Sequence, residues 1–195
     1  MTSTRRMGQP GSPTWSLILD AAEGILHDEG YAALTSRRIG DRIGIKQRLV
    51  YYYFHTMDDV FVEAFRRLAR RELERLQSAL HSDLPVHEVW GICIHTPDSR
   101  LISEFMALAN RSEGVRREVI DYIERTRTIQ VEALTKATNG RSGGIAGLPP
   151  AAVTLMATSI ALAINREAQL GVTMGHPELE RLIAGGLEAL EPHAK

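Results

Sequence analysis

Residues 34–54 read LTSRRIGDRIGIKQRLVYYYF, and this stretch decides the fold. Thr35 stands where a helix N-cap belongs, and Ile39 and Ile43, four residues apart, share one face of a short helix. Gly44 breaks that helix, and a second short helix is expected from about Lys46 to Tyr53. Close crossing of two helices favours a small residue in the turn between them, and Gly44 provides one. Ile39, Ile43, Ile45, Val50 and Phe54 can form the small core that fixes the crossing angle. Lys46, Gln47 and Arg48 are then left at the start of the second helix. The major groove of B-form DNA admits one helix, whose N-terminal residues face the base edges. Arginine can grip guanine with two hydrogen bonds, and glutamine can do the same to adenine. The hydroxyls of Thr35, Ser36, Tyr51 and Tyr52 can donate to phosphates, which sets register without reading sequence. Taken singly, a basic residue on a short helix is as readily a solvated face, and a tyrosine beside a phenylalanine as readily core. The combination of glycine turn, basic helix start and tyrosine cluster is what points to DNA.

Outward from this stretch the pattern stays helical. Upstream, Leu17, Ile18, Ala21, Ala22, Ile25 and Leu26 recur at helical spacing. Ser12-Pro13 or Thr14 can cap that helix, and Gly30 can end it in the left-handed position past the cap. Downstream, Thr56-Met57-Asp58-Asp59 has the form of a capping box and opens a long amphipathic helix through about Leu80. Further helices are expected over about 85–95, 99–110, 113–138, 150–172 and 177–190. Asn139–Pro150, NGRSGGIAGLPP, is the clearest break between them. No strand alternation and no internal repeat is legible, so the fold class is all-α.

The totals fit an ordinary globular protein: 195 residues, 44% hydrophobic and 24% charged. Net charge is −1, which argues mildly against a nucleic-acid binder. The total conceals a local excess. Between Thr35 and Thr56 five basic residues (Arg37, Arg38, Arg42, Lys46, Arg48) face one acid, Asp41. Cys93 is the only cysteine, so no internal disulfide can form, which suits a reducing cytoplasm. No secretory signal and no apolar run of about 18 residues is present, so no membrane association is expected. His81, His87, Cys93 and His95 do not form a zinc pattern, and Cys93 and His95 diverge in direction on a helix. No phosphate loop, nucleophile motif or cofactor site is found. In the RRLARR run, Arg66–Arg71, Glu63 can pair with Arg67 along a solvated helix face.

Three segments together resemble the N-terminal domain of the TetR family of bacterial transcriptional regulators. They are ILDAAEGILHDEGY from Ile18, LTSRRIGDRIGI from Leu34 and LVYYYFHTMDDV from Leu49. The resemblance implies a three-helix helix-turn-helix DNA-binding domain joined to a larger helical domain that dimerises and binds a small effector. On this division residues 1–13 are a flexible tail, 14–56 the DNA-binding domain and 57–195 the effector-binding and dimerisation domain. Carried over by position, Thr35 and Ser36 fall where the family touches phosphate, and Arg37 where it can reach a base. Gln47 and Arg48 match the main base-reading positions, and Tyr51, Tyr52 and Tyr53 the stretch that packs on and bonds to the DNA backbone. Lys46 replaces a common small capping residue, and Arg48 a frequent glycine or proline. Leu49 and Met57 put two backbone contacts in doubt. Arg5 and Arg6 could compensate by entering a minor groove.

The resemblance also implies a homodimer through the last two long helices, about 150–172 and 177–190, and so a near-palindromic operator in double-stranded DNA. An effector pocket is implied among the middle helices. Trp90, Phe105, Met106, Tyr122 and Met156 are large enough to line it, and His95, Asn110 and Arg125 to supply polar handles, although aromatic and methionine residues at helical spacing are usually core. The expected function is a transcriptional repressor released from its operator by an effector of unknown identity, and not an enzyme. A DNA-binding structural protein with the same heads is the alternative, and a closed, fully packed larger domain would favour it.

Overall fold

The computed structural model describes residues 8–138 and 147–192, and these are helical with short connections. The first helix, α1, is Pro13–Glu29. Ser12 caps it by accepting a hydrogen bond from the Trp15 amide at 3.3 Å, with Pro13 in the first turn where its missing N–H costs nothing. Gly30 ends it with φ +80° but ψ 172°. The expected left-handed cap is therefore not formed. This extended, positive-φ conformation is essentially confined to glycine, and it turns the chain into a single 3-10 turn, Tyr31–Ala33. The carboxylate of Glu104 accepts from the Tyr31 amide at 3.2 Å.

Helix α2 is Ser36–Ile43, capped by Thr35, whose hydroxyl accepts from the Arg38 amide at 3.1 Å. Helix α3 is Gln47–Tyr53, and Lys46 at its N-cap makes no side-chain bond. Gly44 between them is left-handed, φ +71° and ψ 27°, yet a Cβ there would meet nothing within 4 Å. The close approach falls instead at Gly40, where a Cβ would lie 2.6 Å from the Ile45 carbonyl oxygen. The expectation for Gly44 thus divides: Gly44 supplies conformation and Gly40 supplies space. Ile39, Val50 and Phe54 are buried, while Ile43 and Ile45 are only half-buried.

Helix α4 is Met57–Ala79. Its capping box forms with aspartate in the fourth place: the Asp59 amide donates to the Thr56 hydroxyl at 3.1 Å, and the Thr56 amide to the Asp59 carboxylate at 2.8 Å. Five helices follow: α5 Pro85–His95, α6 Ser99–Leu108, α7 Glu113–Ala137, α8 Pro150–Gln169 and α9 His176–Leu190. The expected loop at 139–150 falls mostly on residues 139–146, which lie outside the described residues, as do Arg5 and Arg6. Of the tail expected over 1–13, residues 8–12 are seated: the Gly8 amide donates to the Tyr52 carbonyl at 3.0 Å, and the Ser12 amide to the Gln9 carbonyl at 3.2 Å.

The chain divides into two compact units. One comprises the chain up to Ala69 together with Arg100–Ile120; the other comprises Arg70–Ser99 and the chain from Asp121 onward. In the first, Phe65 and Phe105 are fully buried and meet edge to face, ring centroids 5.0 Å apart. Trp15 stacks on Phe54 at 5.8 Å. Arg67 does not pair with Glu63. It reaches α1 instead, donating to Asp20 and, at 2.7 Å, to Glu23. Glu63 takes Arg66 at 2.6 Å, and Arg66 also reaches Glu118 at 2.7 Å. The RRLARR run is therefore partly spent on fixing α4 to α1 and α7.

In the second unit, Leu73, Leu76, Val89, Ile129 and Ala133 form one core cluster, and Ile94, Ala161 and Ile164 another. Helix α5 packs on α8. The first turn of α5 leaves amides without intrahelical partners, and neither Leu84 nor Pro85 can cap them with a side chain. The carboxylate of Glu191, just past α9, does so from 105 residues away. It accepts from the Val86 amide at 3.0 Å and the His87 amide at 3.1 Å, and contacts His87 Nδ1 at 3.1 Å. At the other end of α9, His176 Nε2 meets Glu167 at 2.9 Å. Both ends of α9 are thus fastened by a histidine–carboxylate contact.

Candidate functional site

The α2–α3 pair is held against α1 by charge. Arg38 makes a two-pronged contact with Glu29, at 3.0 and 2.7 Å, and Arg42 donates to Asp28 at 2.9 Å. The Arg38 hydrogen bond holds the Glu29 carboxyl below its ordinary pKa, and Asp28 is likewise lowered by His27 and then Arg42. Two of the five basic residues counted in the sequence are thereby neutralised within the protein. Arg37 has its side chain 84% exposed, with Asp41 at 3.9 Å. Lys46 and Arg48 are exposed at the start of α3. The positive charge left for a partner is therefore gathered at Arg37, Lys46 and Arg48.

The residues carried over as phosphate contacts divide. Thr35 is exposed, its hydroxyl engaged in capping α2. Ser36 is buried, 3% exposed. Its hydroxyl accepts from Gln47 Nε2 at 2.7 Å and donates to the Tyr51 hydroxyl at 3.2 Å. In this geometry Ser36 serves as the hinge pin between α2 and α3: it fixes the directions of Gln47 and Tyr51. Tyr51 and Tyr52 are exposed by about two-fifths, at 44% and 43%. Tyr53 is half-buried, edge-on to Tyr52 at 5.2 Å, and so close beneath Gly8 that a Cβ there would stand 2.3 Å from the ring.

A cavity of about 410 Å³ opens among α5, α7, α8 and α9, wholly within the second unit. Of the eight residues named from the sequence, it brings together Trp90 and Met156. The other six lie elsewhere. Phe105 is core of the first unit, beside half-buried Met106, and Asn110 is exposed there. His95 is exposed, and Arg125 is exposed with Asp121 at 3.5 Å. Tyr122 packs against the α4–α5–α7 core, where burial raises its phenol pKa. The cavity's own polar residues, Cys93, Gln130, Thr154 and Thr158, are not among the lining residues expected from the sequence. They are small or uncharged and come from three helices, so no local spacing marks them. Burial pushes the Cys93 thiol pKa up, which keeps it a thiol and a poor nucleophile. Among the described residues no three His, Cys, Asp or Glu cluster as a metal site, and no helix is long and apolar enough to cross a membrane.

Residues 18–64 match the family model for bacterial regulatory proteins, tetR family. The chain is 28% identical over 182 residues to the uncharacterized HTH-type transcriptional regulator YhgD of Bacillus subtilis, across 88% of this chain and 91% of that one. Its fold is similar to a TetR transcription regulator from Haloarcula marismortui, with TM-score 0.72, 20% identity and coverage of 88% and 94% of the two chains. It is also similar to a transcriptional regulator from Saccharomonospora viridis solved in complex with choline, with TM-score 0.70, 16% identity and coverage of 80% and 85%. The family consists of DNA-binding transcription factors and not of enzymes. Its glycine-turned helix pair lies inside the segment that matches the tetR-family model, and along most of its length the chain shares the fold of transcriptional regulators of that family.

Proposed function

We propose that the chain is a homodimeric repressor that binds a near-palindromic DNA operator through α3 and is released by a small-molecule effector. One observation carries the DNA reading: Lys46 and Arg48 stand exposed at the start of α3, beside a Gln47 held in place by Ser36, while Arg38 and Arg42 are spent inside the protein. Gln47 and Arg48 read base edges, since both residue types can bond a base twice. Thr35, Arg37, Lys46, Tyr51 and Tyr52 hold the phosphates. Tyr53 supports the stretch from beneath, and Ser36 positions Gln47.

Dimerisation is supported by the outward faces of the last two helices and their connection. Leu155, Leu162, Leu170, Met174 and Leu182 are all more than half exposed, Met174 at 92% and Leu182 at 73%. Large apolar side chains exposed along both helices and their connection call for a partner, and a second copy supplies two heads with two-fold symmetry. Such heads address half-sites about 34–36 Å apart or a multiple of that. The cavity favours the effector reading over a DNA-binding structural protein, because the second unit is not closed and packed throughout. The choline complex of the structurally similar regulator supports a small-molecule role for this domain. Release requires the effector to bind the operator-incompetent state more tightly, by the same factor by which it weakens DNA affinity.

The test is to recover bound duplexes from a random-sequence pool with purified protein at fixed salt. A near-palindromic motif is expected. No enrichment by protein shown to be folded and dimeric contradicts the reading.

A further inference from the structure

The lining of the α5–α7–α8–α9 cavity specifies a class of ligand. Among the described residues that line it, none is Asp, Glu, Lys, Arg or His. Apolar groups such as Val89, Ile160 and Leu187 make most of this described wall, and Trp90 is its one aromatic residue. A charged ligand would leave water without a counter-charge, and burying an unpaired charge is strongly unfavourable. A quaternary ammonium finds neither a carboxylate nor the several aromatic faces that form a cage.

One polar group interrupts this wall. Gln130 is 7% exposed, and its amide can make up to four hydrogen bonds. Two contacts are present among the described residues, one to a weak sulfur acceptor and one shared. Nε2 donates to Cys93 Sγ at 3.5 Å, and Oε1 accepts at 3.1 Å from the Thr158 hydroxyl. That hydroxyl also lies 2.8 Å from the Thr154 carbonyl, and its single proton serves one acceptor at a time. The amide therefore keeps capacity for a ligand group at a mostly apolar wall. The volume of about 410 Å³ is at the small end of the range for ligand sites.

We infer that the cavity takes a small, neutral, mainly apolar molecule carrying one hydroxyl or carbonyl that bonds to the Gln130 amide. The inference rests on reading this cavity as the effector site, but its ligand class can be tested without DNA. The probes are three naphthalenes of matched size: 1-naphthol, 1-naphthoate and 1-naphthylmethylammonium, which are neutral, anionic and cationic at neutral pH. Binding is read by calorimetry and by the shift in thermal unfolding. 1-Naphthol is expected to bind about 100-fold more tightly than either ion. Two filling variants, Ala157→Leu on α8 and Gly186→Leu on α9, are expected to weaken it at least about tenfold while remaining folded. A Cβ at Gly186 meets nothing within 4 Å, so the new side chain has room to enter the cavity. In Gln130→Leu the preference for 1-naphthol over 1-methylnaphthalene is expected to fall about tenfold.

Either ion binding as tightly as 1-naphthol, or 1-naphthol binding unmoved by both filling variants, would overturn the ligand class. An unchanged naphthol preference in Gln130→Leu would overturn the role of the amide. Binding of 1-naphthol with the expected variant pattern, but without release of recovered operator DNA, would uphold the ligand class and contradict effector-controlled repression.

Discussion

Replacing Phe105 with alanine is expected to lower the stability of the folded protein by about 3–5 kcal/mol. Its ring is fully buried and meets Phe65 edge to face, so truncation removes both the buried area and the partner of a second core ring. The site lies in the unit that also contains α1, α2 and α3. Urea or thermal unfolding measures the loss. Stability within about 1 kcal/mol of the original, with selective loss of ligand binding, would instead return Phe105 to the pocket-lining role for which its size qualifies it.

The second large effect is expected at Gly40. A valine there would set its Cβ against the Ile45 carbonyl oxygen, which belongs to the backbone of the α2–α3 turn and cannot rotate aside. Relief requires α2 and the turn to separate, carrying Gln47 and Arg48 away from their positions. Overpacking typically costs about 1–3 kcal/mol, and operator affinity is expected to fall by about a hundredfold or more. Gly44→Ala is the comparison. Its Cβ enters open space, so only the left-handed backbone is strained, at about 1–2 kcal/mol. Circular dichroism and DNA titration on the two variants decide the point. Equal binding by Gly40→Val and the original chain would contradict the close crossing.

What was legible in the sequence was local chemistry. Ser12, Thr35 and the Thr56–Asp59 box cap helices through atoms three residues away, so a short window contains the whole cause. The exposed start of α3 was legible for the same reason. The rest depends on partners distant along the chain. Arg38 and Arg42 count as positive charge in a window, and only folding shows them spent on Glu29 and Asp28, nine and fourteen residues back. The burial of Ser36 follows from the crossing of α2 and α3, not from its neighbours. Gly30 reads as a cap residue, but the direction of the chain beyond it depends on contacts such as that with Glu104, seventy-three residues from Tyr31. For Phe105 the sequence does carry a signal. Leu101, Ile102, Phe105, Leu108 and Ala109 form a complete buried helical stripe, which marks the phenylalanine as core. For the cavity no such signal exists, because Gln130, Thr158 and Leu187 converge from α7, α8 and α9 only in three dimensions.

If α3 of this chain reads DNA sequence, the loss of Arg48 must change what is read. Its side chain is exposed and outside the Ser36–Gln47–Tyr51 network, so alanine should leave the fold intact. The measurement is the motif recovered from a random duplex pool by the original protein and by Arg48→Ala at the same salt concentration. A near-palindrome is expected for the first. For the second the same motif is expected with one position in each half-site relaxed, equivalent to about 1–3 kcal/mol of lost discrimination. An identical motif from both proteins, or no motif from either, would contradict the reading of sequence by α3.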